Sequence, residues 1–192
     1  MPSSDAGNIG LILDIVRKMQ PAAILDVGIG CGKYGMLFRE YLDGHWTKRA
    51  FHDKSTWQTV LIGIEVFKKY ITPVHEYLYN EIIIDDAFNY ILRNNPHNHF
   101  DLVFMGDILE HFPKEKGKVL IQLLRDFWVK RGGSILISTP NVKTCINDER
   151  LAIFGNSNEV HRCRWYAADF AQFNMKTKIV EDRTLTVVLE KR

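Results

Sequence analysis

Between Ala22 and Thr139 the chain alternates short apolar runs with segments of helical spacing, and this alternation restricts the fold more than any single residue does. The apolar runs are Ala22 to Val27, Thr59 to Ile64, Ile82 to Ile84, Phe100 to Met105 and Ser134 to Thr139. Between them Lys33 to Leu42, Phe67 to Tyr79, Ala87 to Arg93 and Lys114 to Lys130 carry helical periodicity. Strands alternating with helices predict right-handed βαβ units, hence a parallel sheet covered on both faces. A further helix precedes the first strand, with Ile9, Ile12, Leu13, Val16 and Met19 on one side and Pro21 as its stop. After Pro140 the pattern changes. Asn141 to Glu159 is polar and irregular, Trp165 to Phe173 is predicted helical, and Lys178 to Asp182 with Leu185 to Glu190 read as an antiparallel strand pair.

At 192 residues the chain has the length of one domain, 1–192, with one active site expected. The segment from Asp43 to Gln58 reads as an insertion, and 141–168 as a lid-like segment. A net charge of +2, with basic residues scattered along the chain, gives no footprint of an obligate nucleic-acid binder. The cysteines, Cys31, Cys145 and Cys163, are odd in number and form no CxxC pair, which argues against a disulfide framework and fits a reducing cytoplasm. No apolar run approaches the roughly 20 residues needed to span a bilayer, so no membrane association is expected.

Asp26-Val27-Gly28-Ile29-Gly30-Cys31-Gly32 lies directly after a predicted strand and before a predicted helix. Glycines there let the chain turn sharply and let a ligand approach closely, at the loop where open parallel sheets bind nucleotides. Two ligand classes compete for it. Gly30-Cys31-Gly32-Lys33-Tyr34-Gly35 satisfies the G-x-G-x-x-G pattern of dinucleotide binders, which keeps an NAD(P)-binding oxidoreductase as the alternative. Asp26 separates them, because a carboxylate accepts a hydrogen bond from a ligand ammonium and repels a pyrophosphate. The chain also lacks a Tyr-x-x-x-Lys pair.

Asp26 to Gly32, Glu65, Asp86-Ala87 and Asp107-Ile108-Leu109-Glu110-His111, in that order, resemble the successive motifs of class I S-adenosylmethionine-dependent methyltransferases. The resemblance implies a Rossmann-like three-layer αβα sandwich whose seven-stranded, mainly parallel sheet carries a C-terminal antiparallel strand. It also implies S-adenosylmethionine as cofactor, contacted by Asp26, Gly28, Gly30, Gly32, Glu65, Val66, Asp86, Ala87, Gly106 and Asp107. Glu65 has a physical case of its own, since a bidentate acceptor at a strand's carboxyl edge suits two ribose hydroxyls. It stands 33 residues beyond Gly32, where about 20 is usual, and the insertion accounts for the surplus. Asp85 competes with Asp86 for the adenine; Asp86 is preferred because it directly precedes Ala87 at the next predicted helix.

Methyl transfer to a hydroxyl or protonated amine needs a base near the acceptor. His111, on the loop after the fourth strand, is the first candidate, and His161, in the stretch Asn158-Glu159-Val160-His161 before Trp165 and Asp169-Phe170, is the second. The fold should bring both to one mouth of the sheet. Arg162 and Arg164 would suit an anionic substrate but read better as solvated residues. Asp107-x-x-Glu110-His111 also resembles the metal site of small-RNA 2'-O-methyltransferases, but its ligand set is incomplete, so no metal site is expected. His97 and His99 read as surface residues, and Cys31 as a small packing residue. A small-molecule or sugar acceptor is favoured over a polymer. A catalytically silent cofactor-binding module is the third alternative.

Overall fold

β1 (Ala23–Val27) is buried at all five positions, the condition of a strand with neighbours on both edges and helices on both faces. In the computed structural model, which describes residues 6–44, 53–141, 146–152 and 155–192, β2 (Val60–Glu65) and β4 (Phe100–Gly106) flank it in parallel. β3 (Glu81–Ile84) extends the sheet beyond β2, and β5 (Val129–Pro140) extends it beyond β4. The antiparallel strand β7 (Thr184–Glu190) then pairs with β5, and β6 (Lys176–Glu181) forms the edge. The order β3-β2-β1-β4-β5-β7-β6 is the seven-stranded, mainly parallel sheet expected of the sequence.

Period-two alternation sends successive strand residues to opposite faces and divides the core in two. Ile24, Leu102, Phe104 and Leu136 pack against α1 (Ile9–Met19), α2 (Lys33–Phe38) and Leu78 of α3 (Pro73–Leu78). Leu25, Val103, Met105, Ile135 and Ile137 pack against α4 (Ala87–Arg93), α5 (Lys114–Leu123) and the aromatic group Trp165, Phe170 and Phe173.

Several boundaries differ from the sequence reading for identifiable reasons. The helix expected over Phe67 to Tyr79 is a single turn, Lys68–Tyr70, followed by α3, because Pro73 forces Thr72 into an extended conformation and can only open a helix. The helix expected to reach Lys130 ends in a π-helical turn, Leu124–Trp128, and β5 begins at Val129 rather than Ser134. Trp128 and Val129 fit helical spacing, yet the indole stacks 6.0 Å from the Phe100 ring and Val129 pairs with Phe100. Trp165 to Phe173 contributes 3-10 turns over Ala167–Phe173 rather than an α-helix. His97 and His99 are exposed. Within the insertion, residues 45–52 lie outside the described residues, as do Cys145 and part of the lid-like segment. Among the described residues no helix is long and apolar enough to cross a membrane.

The stems of the insertion are clamped by Arg39, whose side chain is wholly buried. Its guanidinium donates to the carbonyls of Leu78 (2.7 Å) and Thr59 (2.6 Å), to Asp43 Oδ2 (2.8 Å) and to Asn80 Oδ1 (2.7 Å), and lies 4.4 Å from the Trp57 ring centre. The other Asp43 oxygen accepts from the amides of Gln58 (2.8 Å) and Thr59 (3.0 Å).

Candidate functional site

From β1 the chain winds outward through β2 and β3, and from β4 in the opposite direction through β5, so the strand order reverses between β1 and β4. Connections leaving opposite ways open a crevice at the carboxyl ends of those two strands. A cavity of about 570 Å³ occupies it, lined by Asp26, Gly28, Gly30, Glu65, Val66, Asp86, Ala87, Gly106, Asp107, His111 and His161. Of the residues expected to contact a cofactor, only Gly32 is missing from the wall. It caps α2 in a left-handed conformation and backs onto His75 instead.

One half of the cavity is built on β1 and β2. Gly28, Gly30 and Gly32 all take positive φ, so the loop folds back on itself within five residues. Two side chains hold it in that shape. Glu65 Oε2 accepts from the Gly30 amide (3.0 Å) while Oε1 accepts from the Phe67 amide (2.8 Å). His75, 1% exposed, accepts the Thr72 amide at Nδ1 (3.1 Å), which leaves Nε2 protonated to donate to the Gly30 carbonyl (3.0 Å). The Glu65 carboxylate retains acceptor capacity for a ligand hydroxyl beyond these amides. A pyrophosphate here would compete with Glu65 for the Gly30 N–H and meet its charge, which disfavours a dinucleotide. Gly35, the last glycine of the G-x-G-x-x-G match, serves packing: a Cβ there would lie 2.5 Å from the Tyr79 hydroxyl.

That hydroxyl donates to Asp26 Oδ2 at 2.6 Å, at the floor of the cavity. Burial lifts the Asp26 carboxyl to about 7; the Tyr79 hydrogen bond opposes the rise and the Glu65 charge adds to it. A carboxyl whose native pKa stands above its unfolded value of 3.8 stabilises the fold fully below that value, and the contribution is lost as pH rises toward 7. Asp26→Asn, which keeps an acceptor for Tyr79 but cannot ionise, should therefore gain stability relative to the parent by about 2–3 kcal/mol between pH 5 and pH 8. Urea unfolding of both proteins at the two pH values measures this; parallel pH profiles would remove Asp26 as a titrating group.

Asp86 caps α4, accepting from the Asn89 amide (2.8 Å), and faces Lys116 at 3.8 Å. Asp85 also lines the cavity, but its side chain is engaged by Arg93 and by the Asp86 amide (2.8 Å).

The other half is built on β4, β5 and the segment after them. Asp107 turns the chain with φ 52° after β4, and its Oδ1 accepts from Ser138 Oγ (3.1 Å). The lid-like segment docks on this same loop: the Glu110 carbonyl accepts from the amides of Arg162 (2.6 Å) and Cys163 (3.2 Å), and Trp165 Nε1 donates to the Leu109 carbonyl (3.2 Å). Gly117 makes room for this indole, since a Cβ there would lie 2.6 Å from Trp165 Cζ2. The docking carries His161 to His111, ring centres 5.0 Å apart and nearly perpendicular. Burial and the neighbouring His161 lower His111 to about 4, and burial lowers His161 too, so both imidazoles are unprotonated near neutrality. Glu159 completes the wall, accepting from the Tyr70 hydroxyl (3.0 Å) and Asn156 Nδ2 (3.2 Å). Arg162 lines the cavity but turns to Glu149 (3.1 Å).

The sequence reading missed His75, Tyr79 and Tyr70 altogether and treated Glu110 only as part of a motif. His75 carried one legible signal, standing three residues beyond Thr72 at a helix opened by proline, the spacing of a capping pair.

No family model matches the chain, and no curated protein matches it in sequence. Solved structures share its fold. An S-adenosylmethionine-dependent methyltransferase from Archaeoglobus fulgidus is 14% identical with a TM-score of 0.64, covering 95% of this chain and 94% of that one. An O-methyltransferase family protein from Burkholderia thailandensis is 18% identical with a TM-score of 0.58, over 95% of this chain and 55% of that one. PigF with S-adenosylhomocysteine is 15% identical with a TM-score of 0.57, over 96% of this chain and 60% of that one. At these identities the likeness is one of fold, and that fold is the Rossmann-like one of S-adenosylmethionine-dependent methyltransferases.

Proposed function

We propose that this chain is an S-adenosylmethionine-dependent methyltransferase acting on an oxygen or nitrogen of a small-molecule or sugar acceptor. The observation that carries the reading is the division of one cavity into two chemically different halves: a glycine loop tied to Glu65 above Asp26, and two unprotonated imidazoles opposite. The first half fits the cofactor. Asp26 at its floor suits an ammonium, the remaining acceptor capacity of Glu65 suits a ribose diol, and Asp86 with Ala87 and the half-exposed Val66 form a flank for adenine. When bound, S-adenosylmethionine supplies a methyl group already activated on a sulfonium, so the protein's task is alignment and exclusion of water. His111 and His161 stand on the acceptor side as the groups able to take a proton from a hydroxyl or an ammonium.

Titration calorimetry with S-adenosylhomocysteine, and with NAD as the control, tests the reading. Binding of the former without the latter is expected, and tight binding of NAD would overturn the proposal in favour of an oxidoreductase. Glu65→Ala should weaken S-adenosylhomocysteine binding by about 1–3 kcal/mol, the cost of hydrogen bonds to a charged acceptor. An unchanged dissociation constant would confine Glu65 to its backbone contacts with Gly30 and Phe67.

A further inference from the structure

We propose that Glu110, His111 and His161 bind a divalent first-row transition-metal ion in the acceptor half of the cavity. One potential ligand atom from each of the three residues lies within 4.8 Å of the other two. Independently of that distance, Glu110 Oε1, His111 Nδ1 and His161 Nδ1 are each buried with no hydrogen-bond partner. A buried polar atom left unpaired is destabilising, so three of them on adjoining side chains point to a shared partner. Glu110 is only 2% exposed, so bulk solvent does not reach it.

The surroundings orient the group as outer-shell contacts orient metal ligands. Thr139 Oγ1 donates to Glu110 Oε2 at 3.1 Å and leaves Oε1 as the available oxygen. The amides of Arg162 and Cys163, both bound to the Glu110 carbonyl, fix the backbone that carries His161. The adjacent cation is directed elsewhere, with Arg162 Nη1 on Glu149 at 3.1 Å. Asp107, anchored by Ser138, adds negative charge to the same loop.

Two imidazole nitrogens and one carboxylate oxygen suit Zn²⁺, Fe²⁺, Co²⁺ or Mn²⁺ better than Mg²⁺ or Ca²⁺, which prefer all-oxygen shells. Neutral imidazole is also the form that ligates, and a nitrogen bound to an ion no longer takes a proton, so the base role proposed for the two histidines belongs to the metal-free protein. Tetrahedral ligands at bond lengths of about 2.1 Å stand about 3.4 Å apart, so side-chain rotation of about an ångström would close the site on an ion. Three protein ligands would leave coordination positions open, as in catalytic rather than structural sites, and all three residues line the cavity. The inference does not rest on methyl transfer, because ion binding is a property of the chain without cofactor or acceptor.

The test is titration of the metal-stripped full-length protein with Co²⁺, read by visible d–d absorption and by calorimetry, with Mg²⁺ as the control ion. One Co²⁺ per chain is expected, without the intense sulfur charge-transfer band that cysteine ligation would add. His111→Ala and His161→Ala should each weaken binding at least 10-fold with unchanged far-ultraviolet circular dichroism, while a His97→Ala/His99→Ala variant binds as the parent does. Should either single variant unfold, Glu110→Gln, which keeps the shape and the Thr139 hydrogen bond, replaces it and should weaken binding likewise. Absence of Co²⁺ binding, binding that survives loss of both His111 and His161, or binding abolished by the His97/His99 pair would each overturn the site. Loss of the metal site with S-adenosylhomocysteine binding intact would leave the methyltransferase reading standing, and the converse result would leave the metal site standing.

Discussion

Asp43→Ala should lower the free energy of unfolding by about 3–5 kcal/mol, the scale of removing one partner from a fully buried ion pair. The effect is large because the counter-charge cannot escape: the Arg39 and Asp43 side chains are each 1% exposed, and burial already pulls the guanidinium's pKa down while Asp43 pushes it back up. The carbonyls of Leu78 and Thr59 and the Asn80 amide oxygen would still accept hydrogen bonds from Arg39, but none carries a formal charge. Loss of Asp43 also strips acceptors from the Gln58 and Thr59 amides that begin the run into β2. Urea unfolding measures the change; a loss below about 1 kcal/mol would mean that neutral acceptors and the Trp57 face suffice for Arg39. The variant Arg39→Met/Asp43→Leu, which removes both charges, should recover part of the loss.

The second large effect concerns turnover. Replacing His111 or His161 by Gln is expected to lower the rate of methyl transfer by about 10²-fold or more for whichever side chain takes the acceptor's proton, with the affinity for S-adenosylhomocysteine nearly unchanged. The other replacement should act mainly on acceptor binding. Comparing turnover with thermal stability in both variants, once screening has supplied an acceptor, separates loss of chemistry from loss of packing. Full turnover in both would show that the acceptor needs no protein base, as for a thiolate or a neutral amine, and that alignment alone drives the step.

The sheet was legible because every strand obeys a local rule. Ile24 and Leu25, or Leu102 and Val103, need no knowledge of their partners to declare that both faces are covered. The glycine loop was legible for a similar reason, since the residues that shape it are contiguous. Arg39 was read only as part of a helix and Asp43 as the start of an insertion, because nothing in their immediate neighbourhood announces that Thr59, Leu78 and Asn80 close around them. Trp165 shows the same limit. An indole buried against Gly117 in the middle of α5 depends on a contact 48 residues away in the chain, and the position of His161 follows from it. The metal ligands were set aside at the sequence level because Glu110 and His111 make an incomplete set together; the third member arrives only through that docked indole.

The reversal of strand order between β1 and β4 also divides what selection can act on. The polar side chains that hold the loop around Gly30, Glu65, His75 and Tyr79, come from β2 and from α3 and its C-terminal cap, whereas Glu110, His111 and His161 belong to the loop after β4 and the segment pinned by Trp165. The two assemblies meet along the backbone hydrogen bonds of the β1–β4 ladder and through a few side chains, among them Tyr70 on Glu159 and Ile108 against Gly28. A lineage built this way can rewrite the chemistry of one wall while inheriting most of the other, so diversity among descendants of such a chain should accumulate on the side of β4 and β5.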